Sequence, residues 1–336
     1  MRTSVPVAFA TLLAAACVDD EPLPTLMDTG WFDSDVPADD ACTAVLVSSS
    51  PEAGVRDWYW RDLPRLFVAE PDAAHTARLT EASGIEVPVT LTPANEAGLA
   101  LDVVFDGGLK PDTDHVLEFT DCSGTHEIAF RTSSYGRPVE GGVAGLAGHT
   151  FHLDVADAAA QWLQPSGLGP LLSSFFAQPI LVSVQWAGAG SLDLIGGLGD
   201  ITLGEISQDE ELPTWNFPVA EFSDAPFFSV DADAIELLVS GYPLPIYNFH
   251  LEGTFAADGQ SIGGARLRGL GDTRYSGGAV GFPNREEALC DLGAGVGVAC
   301  VACPDGRDLC LAVEVEEIPT PWIEGLRMEP RRGDVP

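Results

Sequence analysis

Between residues 43 and 133 apolar and polar positions alternate over short runs: TAVLVSSS, PRLFVAE, ARLTEA, VPVTLTP, LALDVVF, HVLEFTD and EIAFRTS. Alternation with a period of two is the mark of strands that bury one face, and runs of this length between turn residues predict a β-sandwich. Glycine, proline and serine then cluster in SSYGRPVEGGVAG, which reads as a boundary. Beyond it Thr150 to Val155 reads as a strand, AAAQWLQPSGLGPLLSSFFAQ as two short helical pieces broken at Pro165-Ser166-Gly167, and PILVSVQWA as strand again. In IYNFHLEGTFAADGQSIGGARLRG, Tyr247, Phe249, Leu251 and Phe255 fall on one face and Asn248, His250, Glu252 and Thr254 on the other. That pattern predicts a half-buried strand, a turn at Asp258-Gly259 and a returning strand. The expected fold is mainly β, with a sandwich over 42–133, a linker over 134–148 and a β-rich antiparallel domain over 149–336. The second domain is an antiparallel sheet or partial barrel with a short helical segment and a cysteine-rich hairpin.

The N-terminus follows a different pattern. Met1 and Arg2 supply a short positive stretch, and Val5 to Ala16 form an apolar segment of signal-peptide length. This is too short to span a bilayer, which takes about 20 residues. From Val18 to Asp40 the chain is rich in Asp and Pro without periodicity, as expected of a solvated tether over 17–41. Its aspartates lack the D-x-D-x-D-G spacing with a closing Glu that a calcium loop needs. In the whole chain of 336 residues, 46% hydrophobic content is ample for real cores. The 51 acidic against 16 basic residues give a formal charge of -35, which repels phosphate backbones and excludes nucleic acid as the expected partner.

Seven cysteines is an odd number. Four of them, Cys290, Cys300, Cys303 and Cys310, lie in CDLGAGVGVACVACPDGRDLC. A zinc ribbon needs two C-x-x-C knuckles where this segment has one, and a redox C-x-x-C sits in a βαβ context that is missing here. Disulfides are expected instead. Pro304-Asp305-Gly306 marks a hairpin turn that sets Cys310 across from Val301, near Cys300 or Cys303, which leaves the connectivity open.

Motifs for chemistry fail one by one. Gly259-Gln260-Ser261-Ile262-Gly263 matches G-x-S-x-G, but GARLRG follows where a helix is required, and the last histidine, His250, precedes the serine. His126-Glu127 begins H-E-x-x-H, yet Phe130 stands at the second histidine. His149 and His152 are three apart on a strand and so point to opposite faces. Lys110 is followed by Pro111, which removes a Walker motif. No catalytic residue, metal ligand or cofactor is expected, and the chain does not read as an enzyme.

Two resemblances carry the functional expectation. Leu12-Leu13-Ala14-Ala15-Ala16-Cys17 resembles the lipobox of bacterial lipoproteins, which implies removal of residues 1–16 and lipidation of Cys17. Six cysteines then remain to pair outside the cytoplasm. Val18 after the lipidated position, where enteric inner-membrane lipoproteins carry Asp, implies the outer membrane. Ser49-Ser50-Pro51-x-x-Gly54-Val55, Leu109-Lys110-Pro111-Asp112-Thr113-x-His115 and Phe130-x-Thr132-Ser133 resemble bacterial Ig-like repeats of the surface-protein type. The resemblance implies a spacer or adhesive module. It also implies parallel first and last strands, which brings Cys42 and the turn holding Cys122 to one end and suggests a Cys42 to Cys122 disulfide. The C-terminal arrangement resembles cysteine-containing lipoproteins of GC-rich predatory or social bacteria. The expected function is therefore an exported, membrane-anchored, non-catalytic binding or scaffold module at the cell envelope, whose partners are the membrane, through its lipid, and an unidentified protein or envelope component. The alternative is a carrier for a lipid or other apolar ligand, in a groove lined by Trp162, Leu163, Leu168, Leu171, Leu172, Phe175 and Phe176.

Overall fold

The computed structural model describes residues 42–331 apart from 167–168, 170–172, 174–175 and 177. Cys17 with its apolar leader, the tether, and Leu168, Leu171, Leu172 and Phe175 therefore lie outside the described residues.

Each alternating run of the first part becomes a strand: β1 (Leu46–Ser50), β2 (Arg65–Val68), β3 (Thr76–Glu81), β4 (Glu86–Val87), β5 (Thr90–Pro93), β6 (Ala100–Val104), β7 (Asp114–Asp121) and β8 (Gly124–Arg131). They make two four-stranded antiparallel sheets, ordered β1-β2-β6-β5 and β4-β3-β7-β8. The run VPVTLTP divides at Pro88, whose missing N–H breaks the ladder, so β4 joins one sheet and β5 the other. Leu66, Val68, Leu101 and Val103 of the first sheet meet Leu79, Leu117, Phe119, Ile128 and Phe130 of the second in one apolar core. Past β1 the chain runs parallel to β8, with the Gly54 amide donating to Ala129 (2.7 Å) and the Arg131 amide to Val55 (2.8 Å).

The second part holds β9 (Thr150–Leu153), β10 (Gln161–Gln164), β11 (Ile180–Gly188), β12 (Gly190–Thr202), β13 (Glu205–Gln208), β14 (Trp215–Asn216) and β15 (Ala220–Phe222). It continues with the long β16 (Phe227–Val239), β17 (Tyr242–Phe255) and β18 (Ser261–Asp272), a short helix Ala288–Ala294, then β19 (Cys310–Glu316) and β20 (Thr320–Pro321). Antiparallel pairing runs from β9 through β11, β12, β15, β16 and β17 to β18. β18 also pairs with β20, and a bridge between Phe151 and Trp322 returns the sheet to β9. The Ile323 amide donates to Thr150 (2.8 Å) and the Asp154 amide to Pro319 (3.0 Å) across that seam. The sheet thus closes on itself as an eight-stranded barrel, while β10 and β19 extend from β18 as a flap.

Phe255 occupies the barrel interior, with the rings of Phe228, Phe151 and Phe222 at 5.0, 5.5 and 5.9 Å between centroids. Two local expectations need correction. Gln161–Gln164 is a strand and not part of a helix: the exposed edge of β19 captures it, and the Trp162 indole N–H donates to the Val155 carbonyl at 3.0 Å. Tyr247 does not share a face with Phe249 and Leu251. A bulge at Asn248, at φ 49°, shifts the register so that Leu244 and Ile246 face the barrel core while Tyr247 packs on Leu270 beside the cysteine hairpin. Among the described residues no helix is long and apolar enough to cross a membrane.

Candidate functional site

The loop that leaves β1 and the chain that leaves β8 both reach the start of β18. There Gly263 and Gly264 leave the strand without side chains. A Cβ on Gly263 would lie 2.5 Å from the Tyr135 ring, and one on Gly264 would lie 2.2 Å from the Tyr59 ring. Glycine inside a strand permits such close approach, and the two tyrosines lie on bare backbone. The Tyr59 hydroxyl hydrogen-bonds the Thr254 hydroxyl, which also accepts from the Trp60 indole N–H at 3.2 Å. Tyr135 and Ser261 share a hydrogen bond of 3.0 Å. Arg61 pairs with Asp224, its guanidinium 3.8 Å from the centroid of Phe227. Sandwich and barrel are accordingly docked by aromatic burial, neutral hydrogen bonds, an ion pair and one cation–π contact, and they belong to one compact unit.

This docking leaves a cleft of about 590 Å³. One wall is Asp57, Trp58, Tyr59, Asp62, Ser133 and Tyr135; the other is Ser261 to Gly264, Arg266 and Glu316 to Pro321. A smaller cavity of about 190 Å³ shares Tyr59, Asp62, Gly264 and Arg266 with it and adds Arg61, Phe227 and Glu252. The rings of Tyr59 and Tyr135 stand 6.5 Å apart at 61°, forming an aromatic corner.

Charge in the cleft is unbalanced. Arg266 reaches Glu252 at 3.4 Å and also pairs with Glu316. Glu252 continues outward to His250 (3.1 Å), which meets Asp231 on its other ring nitrogen (2.8 Å). The hydrogen bond that His250 donates to Glu252 holds its imidazole above its ordinary range against the effect of burial, and the same bond holds the Glu252 carboxyl low. Asp62 has no hydrogen bond or ion pair to its carboxylate among the described residues. Burial pushes that carboxyl up to about 6, with Glu316, Glu317 and Glu252 raising it against the opposing Arg266. Burial also raises Glu316, and it holds the Tyr59 phenol well above its usual range, so the ring stays neutral.

The six cysteines among the described residues form three disulfides: Cys42–Cys122, Cys290–Cys300 and Cys303–Cys310. The first ties the start of the sandwich to the β7–β8 turn, the second holds the short helix, and the third closes the hairpin in which Val301 and Cys310 exchange backbone hydrogen bonds. Among the described residues the only trio of metal-ligand types within 4.8 Å is Asp272, Cys303 and Cys310. Its sulfurs are bonded to each other and its carboxylate is paired with Arg274, so it offers no thiolate and no free acid.

Ser261 sits at the cleft wall but begins a strand and meets Tyr135, without the strand-to-helix turn of a hydrolase nucleophile. A second serine resembles a triad superficially. Ser123, His126 and Asp121 are mutually bonded, yet serine and acid both meet Nε2 of His126, whereas a relay places them on opposite ring nitrogens. Asp121 is instead a structural anchor. Burial opposes its ionisation, but hydrogen bonds from the Ser123 hydroxyl, the amides of Leu46 and Ser123, and His126 outweigh burial and hold the carboxyl well below its usual range. His149 and His152 do not act together: His149 stacks on Trp322 at 4.5 Å and bonds Gly259, and burial lowers the His152 imidazole.

Of the cleft residues, Ser133 and Ser261 to Gly263 fall within sequence motifs, and neither motif points to a cleft; Asp62, Tyr59 and Tyr135 fall in none. The available signals were two adjacent glycines inside a strand pattern, at 263–264, and the run of three aromatics at 58–60.

No protein-family model and no curated protein matches this chain. Two solved structures that match part of it are CopC from Methylosinus trichosporium OB3b and PcoC, a copper resistance protein from Escherichia coli. CopC is 14% identical, covering 27% of this chain and 93% of its own, with a TM-score of 0.23. PcoC is 16% identical, covering 26% of this chain and 99% of its own, with a TM-score of 0.22. Likeness at this level carries no argument about what this chain binds.

Proposed function

We propose that this chain is an exported lipoprotein, anchored through Cys17, that acts as a non-catalytic binding module of the cell envelope and binds its ligand in the cleft between sandwich and barrel. The observation that carries the binding reading is Asp62, a half-buried carboxylate with no partner among the described residues, in the wall of a cavity large enough for a small molecule. An apolar carrier is less well supported, because the rings of Phe151, Phe222 and Phe228 already pack around Phe255 inside the barrel. The anchor is supported by the lipobox-like end at Cys17 and by arithmetic: six of seven cysteines are paired with one another. Labelling cells with a fatty-acid analogue should mark the wild-type chain in the membrane fraction and leave Cys17→Ala unlabelled. An unlabelled wild-type chain would remove the anchor from the proposal.

A further inference from the structure

We propose that the cleft takes a small organic cation that also carries an acceptor oxygen, of the amino-alcohol type, seated beside Asp62 and the rings of Tyr59 and Tyr135. This rests on the reading of the cleft as the binding site. Tyr59 and Tyr135 both line the cleft, where an aromatic face attracts an ammonium group and the nearby carboxylate of Asp62 supplies the counter-charge. The wall carries Asp57, Asp62, Glu316 and Glu317 against Arg266 alone, which is committed to Glu252 and Glu316. An anion would be repelled, and a neutral sugar would leave the excess charge in place.

A bare metal ion fits poorly, because among the described residues these carboxylate oxygens do not gather within one coordination sphere. The hydroxyl follows from a second observation. Nε of Arg266 is buried without a hydrogen-bond partner among the described residues, and an acceptor oxygen on the ligand would satisfy it.

Protonation of Asp62 competes with the cation. The groups around it are Arg266 on β18, Glu252 on β17, Glu316 on β19, Glu317 just beyond, and Arg61 and the Tyr59 phenol on its own loop. With the carboxyl titrating at about 6, binding is expected to be full at pH 7.5, to weaken as pH falls through that value, and to release protons near pH 6.

The test is calorimetric titration of the full chain with choline, ethanolamine, tetramethylammonium and maltotriose, at pH 7.5 and 5.0. Choline or ethanolamine should bind at pH 7.5, several-fold more tightly than tetramethylammonium. Asp62→Asn should weaken binding about tenfold or more, as removal of one partner from a close charge pair does. This variant loses no protein partner and should fold, and Tyr135→Leu gives an independent check on the aromatic corner. Maltotriose binding that depends on Tyr135, without any cation binding, would overturn the ligand class and leave the cleft as the site. Cation binding that Asp62→Asn and Tyr135→Leu leave unchanged would overturn both the inference and the placement of the site. Absence of cation binding at pH 7.5 would overturn the inference.

Discussion

Asp62 is a residue that the fold carries at a loss. Its folded-state value, about 6, lies above the ordinary aspartate value near 4, so the unfolded chain ionises first as pH rises. The folded protein holds the extra proton between those values, and stability falls as pH rises through that window, the penalty being complete above about 6. Discounted for partial solvent screening, the cost is on the order of 1–2 kcal/mol. Asp62→Asn should therefore raise the urea midpoint at pH 8 and leave it nearly unchanged at pH 4. A variant equally stable or weaker at pH 8 would mean that the carboxylate has a partner after all. A destabilising group inside a cavity is a common mark of selection for binding over stability.

At the scale of elements, β18 does two jobs with one sequence. Its first residues, Ser261 and Ile262, seal the barrel against β20, and the bare backbone of Gly263 and Gly264 next to them receives the sandwich. Gly264 has φ 56° as well, so Gly264→Ala combines a left-handed alanine with a Cβ driven into the Tyr59 ring. A loss of about 2–4 kcal/mol is expected. Limited proteolysis should show the linker at 134–148 cut sooner than in the wild type, and an unchanged cutting rate would show that Tyr59 docking is dispensable. The strands themselves were legible, because each buries one face and alternation records it: β7 reads out as alternately buried residues from His115 to Asp121. What alternation cannot record is partnership at a distance. Closure of the barrel through Phe151 and Trp322 and the meeting of Tyr59 with Gly264 join residues that no local period connects. Gln161–Gln164 is a strand for the same reason, since an apolar run beside a free strand edge takes its conformation from the edge. The disulfide partners within 290–310 were equally undetermined, since the turn brings Cys310 near both Cys300 and Cys303.

For the whole molecule, stability rests on contacts that close long stretches of chain, and such contacts are slow to form and cheap to lose once the unfolded chain is freed. The three disulfides differ sharply in this respect. Cys42–Cys122 spans 80 residues, whereas Cys290–Cys300 spans 10 and Cys303–Cys310 spans 7. The loop-entropy relation gives about 4.5 kcal/mol for the first and about 2.5 kcal/mol for each of the others. The long staple ties the entry of β1 to the β7–β8 turn, where the Leu46 amide also donates to Asp121, at the end of β8 away from Tyr59 and Tyr135. Replacing Cys42 and Cys122 together by serine should lower the denaturation free energy by more than either short-loop pair does. Urea melts of the three double-serine variants give the ranking directly. If a short-loop pair proved the costliest, the barrel's hairpin, and not the sandwich, would be the keystone of the molecule.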